Sequence, residues 1–155
     1  MGSPVGLTTP GDRSKIAGCP APGREAVADK SSQGRAPRIL LAEDELLVAA
    51  DIEAMLEELG CEVVGPVATV ADVERLAATE PLDGAVLDVN LRGVRVFGAL
   101  PALRARQIPV ILSSGYDNAA LFPEEFRDLP VLVKPYDRRE LAALLRPAFG
   151  LRRSF

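Results

Sequence analysis

Five short apolar runs recur along this chain, their starts roughly twenty-odd residues apart: RILLA at 38–42, EVVGPV at 62–67, GAVLD at 84–88, PVILS at 109–113 and PVLV at 130–133. Runs that stay apolar without alternating suit strands buried on both faces, as in the interior of a parallel sheet. Most of the intervals between them carry apolar residues at helical spacing, and a helix is the usual crossover between parallel strands. The pattern predicts an α/β domain, a doubly wound parallel sheet of five strands with helices on both faces and right-handed crossovers. With 48 % hydrophobic residues among 155, the chain has the material for one core of this kind.

The intervals can be read further. After the first run, Val48, Ile52, Met55 and Leu59 follow a 4-3-4 spacing and Gly60 is a plausible stop. Thr69 can cap a helix carrying Val70, Val73, Leu76 and Ala77. In VFGALPALRA (96–105), Pro101 predicts a helix that starts late. DNAALFPEEFRDL (117–129) is the least regular link, and Pro123 is expected to break it. Asp137 and Glu140 form a capping pair for a last helix bearing Leu141, Leu144 and Leu145.

Residues 1–37 differ in kind. They are rich in Gly and Pro (GSPVGLTTPGDRS, GCPAPGRE, SSQGRAP), lack sustained periodicity, and are expected to form a disordered extension. That leaves a domain over 38–150 and a short tail at 151–155. Six basic and three acidic residues lie in 1–38, a net charge of +3, against twelve basic and nineteen acidic residues in 39–155, a net charge of −7. So acidic a domain does not offer the footprint of a nucleic-acid binder. No apolar stretch reaches membrane-spanning length, and no basic segment leads into an apolar block at the N-terminus. Cys19 and Cys61 show neither pairing nor metal spacing, which fits free thiols and a cytoplasmic setting without membrane partners.

There is no histidine. Ser-His and Cys-His catalysis, His-ligated metal and phosphoryl transfer from a histidine of this chain are thereby excluded. Any acid, base or metal chemistry falls to carboxylates, lysine, hydroxyls and backbone groups.

The runs end in such groups. The first leads into Glu43 and Asp44, the third ends in Asp88, the fourth leads into Ser113-Ser114-Gly115, and the fifth leads into Lys134-Pro135. Taken singly, each of these is commonly a helix cap or a turn. In a parallel sheet, however, all strand C-termini share one edge, where open α/β sheets place their ligands. Clustered carboxylates without histidine suit a hard divalent cation, most naturally Mg²⁺. With a lysine, a hydroxyl and backbone N–H groups beside them, the set can hold a phosphoryl group. A central carboxylate could itself attack to give an aspartyl phosphate, and Asp88 is the natural nucleophile because its run is expected at mid-sheet.

At this point LLAEDE, AVLDVNLRG, PVILSSGY and VLVKPYD, in that order and over residues 38–150, resemble the receiver domain of two-component response regulators. The resemblance implies a CheY-like sheet of order 2-1-3-4-5 with five helices. It implies Asp88 as phosphoacceptor, Asp44 and Asp88 as direct Mg²⁺ ligands with the Asn90 backbone carbonyl, and Glu43 holding metal-bound water. Ser114 and Lys134 would each engage a phosphoryl oxygen, and the Lys134–Pro135 bond would be cis. The phosphodonor would be a histidine kinase or a histidine phosphotransfer protein. With only LRRSF or so after the last helix, the resemblance is to a single-domain receiver.

The sequence departs from the family pattern in places. Glu43 stands for the commoner Asp, Arg92 stands where proline is frequent, and Val131 takes the position of the switch aromatic. The SSGY run is similar to a subgroup with Phe-Ala-Thr-Gly-Tyr here, in which Tyr116 could take over part of the signalling. Two other readings stay open: a receiver-like interaction module independent of phosphorylation, and a haloacid-dehalogenase-like phosphatase. The latter needs a second acid two residues beyond its nucleophile, where this chain has Asn90. Nucleotide binding lacks both a P-loop and a G-x-G-x-x-G run.

Overall fold

A computed structural model of the chain describes residues 34–115 and 119–151. Most of the expected N-terminal extension, the expected tail at 152–155 and Tyr116 lie outside those residues. In chain order the elements are β1 (Arg38–Ala42), α1 (Leu46–Glu58), β2 (Glu62–Val67), α2 (Val70–Thr79), β3 (Gly84–Asp88), β4 (Asn90–Leu91), β5 (Val94–Arg95), α3 (Leu100–Ala105), β6 (Val110–Ser114), β7 (Val131–Val133) and α4 (Arg138–Phe149). Five of the strands form one sheet in the order β2-β1-β3-β6-β7, every neighbouring pair parallel. Counting only those five, this is the expected 2-1-3-4-5.

Alternation along the strands sends successive side chains to opposite faces and divides the core in two. Leu40, Ala42, Ala85, Leu87, Val110 and Leu112 pack with α2 and α3 on one face. Ile39, Leu41, Val86 and Ile111 pack with α1 and α4 on the other. β1, β3 and β6 are therefore buried on both sides, which is why their sequences read as unbroken apolar runs.

The helices follow local rules. Ala49, Ile52, Met55 and Leu56 give α1 its buried stripe. Thr69 caps α2, its side chain accepting a hydrogen bond from the Asp72 N–H. Pro101 falls in the first turn of α3, where its missing N–H has no helical partner to lose; residues 96–99 before it form a 3₁₀ turn. Asp137 and Glu140 make a reciprocal capping box at the start of α4.

The link between β6 and β7 corrects one expectation. Among the described residues there are four α-helices, not five; Ala119–Leu121 and Glu124–Phe126 form only 3₁₀ turns. Pro123 separates them with an extended backbone, ψ 139°. A helix through that position would lose a hydrogen bond and clash with the preceding turn. Aromatic packing anchors the segment instead. Phe122 and Phe126 are buried, their ring centroids 5.3 Å and 6.0 Å from that of Phe97, and the Arg104 guanidinium lies 5.2 Å from the Phe126 ring.

At the sheet edge, β2 pairs with β1 through a register shift between Leu40 and Ala42. Gly65 sits there at φ +111°, and a Cβ on it would lie 2.7 Å from the Leu41 carbonyl oxygen. Gly65→Ala therefore combines an unfavourable φ with a backbone clash, and is expected to cost about 1–3 kcal/mol. Urea unfolding measures it, and an unchanged midpoint would contradict this packing. Cys61 is buried and unpaired, and burial pushes its thiol up to about 11. Its native-state alkylation at pH 8 should be at least about tenfold slower than in the unfolded chain, as peptide-level mass spectrometry would show.

Candidate functional site

The C-terminal edge of the sheet gathers the residues expected there. Glu43 and Asp44 follow β1, Asp88 ends β3, Ser114 ends β6 and Lys134 follows β7. Together with Asn90, Gly115 and Arg95 they line a cleft of about 270 Å³. Ligand oxygens of Glu43, Asp44 and Asp88 all lie within 4.8 Å of one another.

Lys134 is the hub of the cleft. Its Nζ donates to Glu43 Oε2 at 2.7 Å and to Asp88 Oδ2 at 2.8 Å. The Lys134 N–H in turn donates to the Ser114 carbonyl at 2.8 Å, tying the lysine to the end of β6. The Lys134–Pro135 bond is cis, as expected, and so is Gly65–Pro66, which the sequence did not announce. Burial is unequal. Glu43 is 3 % and Asp88 8 % exposed, Ser114 is buried, and Asp44 is open to solvent.

Backbone donors fix the carboxylates. The Asn90 N–H donates to Asp88 Oδ1 at 2.9 Å, and the Glu45 N–H to Glu43 Oε1 at 3.1 Å. The Arg92 N–H donates to Asp44 Oδ2 at 2.9 Å. That last bond comes from a hairpin. β4 and β5 pair antiparallel around Arg92-Gly93, with φ +51° and +83° at the two turn residues. Positive φ at both central positions marks a type I′ turn. Proline, fixed near φ −65°, could neither take that conformation nor donate the bond to Asp44. This is a local reason for Arg92 where the family often has proline.

The electrostatics centre on the ion pairs. Burial raises the Glu43 carboxyl above its ordinary value, against the pull of Lys134 and the Glu45 N–H, and the nearby Asp88 charge adds to the rise. For Lys134 burial alone would lower the pKa, but the hydrogen bonds and charges of Asp88 and Glu43 reverse this and raise it. The lysine is therefore a persistent cation among acids.

The donor set suits a hard divalent ion. Two ligand oxygens on one octahedral ion with ~2.1 Å bonds lie at most about 4.2 Å apart. A spread of up to 4.8 Å therefore admits two direct carboxylates and a third reaching through water. Asn90 lines the same cleft.

Of the residues singled out for signalling, Val131 lies in β7 opposite Leu112, half-buried against the α2–α3 face of the core. Tyr116 lies outside the described residues. The sequence reading missed Arg95, which the β4–β5 hairpin carries into the cleft lining. The sequence offered only a weak signal, Gly93 after Arg92 between Leu91 and Val94, without the Asn or Asp that usually marks such a two-residue turn.

Known proteins share this fold. The family model described as the response regulator receiver domain matches residues 39–146. The phyllosphere-induced regulator PhyR of Methylorubrum extorquens is 29 % identical over 137 residues, 85 % of this chain and 49 % of that protein. The chain spans about half the length of the curated relatives it matches. The solution structure of SdrG from Sphingomonas melonis Fr1 is 39 % identical and superposes with a TM-score of 0.63, covering 71 % of this chain and 93 % of that one. The receiver domain of the sensor histidine kinase PA1611 of Pseudomonas aeruginosa PAO1, solved with a magnesium ion in its active-site cleft, is 30 % identical with a TM-score of 0.63, over 74 % of this chain and 98 % of that one. No helix among the described residues is long and apolar enough to cross a membrane. With the sheet order, the acids at its C-terminal edge and a family match over most of the domain in agreement, the chain belongs to the response regulator receiver domain family.

Proposed function

We propose that this chain is a phosphoacceptor in a Mg²⁺-dependent phosphorelay, taking a phosphoryl group on Asp88 from a histidine kinase or a histidine phosphotransfer protein. The observation that carries this is the setting of the Asp88 carboxylate. One of its oxygens is held by Lys134 Nζ at 2.8 Å and the other by the Asn90 N–H at 2.9 Å, within the cluster of acid oxygens. A carboxylate so held is oriented for attack on phosphorus. A new P–O bond forms to Asp88 as the P–N bond to the donor imidazole breaks, and the imidazole nitrogen keeps the electron pair. These 155 residues hold no histidine, so a phosphohistidine donor lies outside them.

Asp44, Asp88 and the Asn90 carbonyl would hold the cation, with Glu43 engaging it through water. When bound, Mg²⁺ neutralises charge building on the phosphoryl oxygens. Lys134 would move from its present pairs to a phosphoryl oxygen, and Ser114 would donate to another. The likeness to PA1611, whose receiver domain holds a magnesium ion in its cleft, supports this assignment. A buried, reduced Cys61 is in keeping with a cytoplasmic setting.

The test is intact mass after incubation with acetyl phosphate, with Mg²⁺ and with a chelator. One added phosphoryl group is expected, only with Mg²⁺, and borohydride reduction should map it to Asp88. A label elsewhere, or one indifferent to the chelator, would overturn the reading. Val131, with no aromatic ring to rotate, favours as second reading a module that docks without phosphorylation. The absence of both adduct and donor hydrolysis would select it.

A further inference from the structure

We propose that Arg95 is a second cation of the site, one that strengthens its hold on phosphoryl oxygens and weakens its hold on the divalent metal. The inference rests on the phosphoacceptor reading of Asp88 and adds to it a residue that sets the balance between the two ligands.

Three observations place Arg95 there. Its position is fixed by backbone pairing, since Arg95 stands directly opposite Asn90 in the β4–β5 ladder. Opposed residues of an antiparallel pair have Cα atoms about 4.5–5.5 Å apart, so Arg95 is rooted beside a residue that would bind the metal. The hairpin is itself tethered at both ends. The Arg92 N–H bonds Asp44 Oδ2 at 2.9 Å and the Val96 N–H bonds the Val89 carbonyl at 3.0 Å. Finally, Arg95 lines the same cleft as Asp88, Ser114 and Lys134, and forms no ion pair with any other described residue. Arg35, Arg38, Arg75, Arg104 and Arg138, by contrast, are each paired with an acid.

Charge then decides the role. Four carboxylates, Glu43, Asp44, Glu45 and Asp88, line the cleft against a single ammonium, Lys134, which already touches two of them. A second positive charge offsets part of that excess. It repels an incoming divalent cation and attracts an incoming or attached phosphoryl dianion. Both effects follow from one sign, and both are partly screened because Arg95 is exposed. Guanidinium is well matched to phosphoryl oxygens, which it can meet with two parallel N–H donors.

The experiment compares Arg95→Gln, Arg95→Lys and the wild type in two assays on the full chain. Mg²⁺ alone is titrated by NMR on the amides of Asn90 and Arg92. Phosphoryl uptake from acetyl phosphate is timed by intact mass at saturating Mg²⁺, so that metal affinity does not enter the rate. Arg95→Gln should bind Mg²⁺ about three- to tenfold more tightly and take up phosphoryl about three- to tenfold more slowly. Arg95→Lys should return most of the metal effect and less of the phosphoryl effect, and added salt should shrink both.

Metal affinity and uptake falling together in Arg95→Gln would mean that the residue only braces the hairpin, and the proposal would be lost. No change in either would reject it equally. If the wild type itself took up no phosphoryl, the reading of Asp88 would fall, while the Mg²⁺ titration would still decide whether Arg95 opposes the cation: an unchanged affinity rejects it.

Discussion

Asp88→Asn is expected to take up no phosphoryl group from any donor, a loss of at least about a thousandfold, or ~4 kcal/mol in the barrier. An amide oxygen is a poor nucleophile toward phosphorus, so no partial activity should survive at this position. The same change should leave the fold intact. The amide carbonyl can still accept the Asn90 N–H, and the loss of one negative charge relieves Asp88–Glu43 repulsion while Lys134 keeps Glu43. An unchanged or raised melting temperature together with a silent mass spectrum is therefore the expected pair of results. Uptake by Asp88→Asn at the wild-type rate would place the acceptor elsewhere.

Lys134→Ala should be the most damaging change at the site for stability. It strands Glu43, 3 % exposed, without its counter-ion, and removes a donor 2.8 Å from Asp88. Removing one partner of a fully buried pair costs about 3–5 kcal/mol, and the Lys134 side chain, 24 % exposed, scales this to about 2–4 kcal/mol. The deficit should depend on pH. Burial already raises the folded-state pKa of Glu43 above its ordinary 4.5, and without Lys134 it rises further. A carboxyl with a raised folded-state pKa contributes most stability below its unfolded value and loses it as pH climbs through the folded one. The gap between variant and wild type should therefore widen from pH 5 to pH 8 in urea unfolding. Mg²⁺ should narrow it, because a cation bound only to the folded state stabilises it by mass action. A gap independent of pH would show that Glu43 is not the group left stranded. Phosphoryl uptake should fall as well, with Mg²⁺ binding kept.

How much of this was legible depended on whether each feature was local. The runs that became β1, β3 and β6 were readable because burial on both faces leaves little room for polar residues. The site was readable because the parallel topology carries every strand end to one edge, so that Glu43, Asp44, Asp88, Ser114 and Lys134 had to converge. Caps at Thr69 and Asp137 are matters of a few adjacent residues, and both appear as expected. The missing helix was harder. Phe122 and Phe126 sit four apart as on a helix face, but Pro123 divides them and the Phe97 ring holds them without one. Arg95 was missed because its place depends on a two-residue turn with positive φ at Arg92, a residue with no marked preference for it. Val131 conveys only that the usual ring is absent, because a single apolar side chain does not say what replaces it.

The two borders of the sheet bear on self-association. An exposed strand edge is a template on which another chain can add a strand. Here β2 presents Pro66, which has no N–H to offer, beside an irregular register and the charged Glu62. β7 at the other border has three residues, too few for a long ladder. Amyloid-like stacking and domain exchange through strand addition are thus disfavoured at both sides. Among the described residues, encounters with other proteins are left to the helical faces and to the rim where the strands end, the rim that carries Asp88.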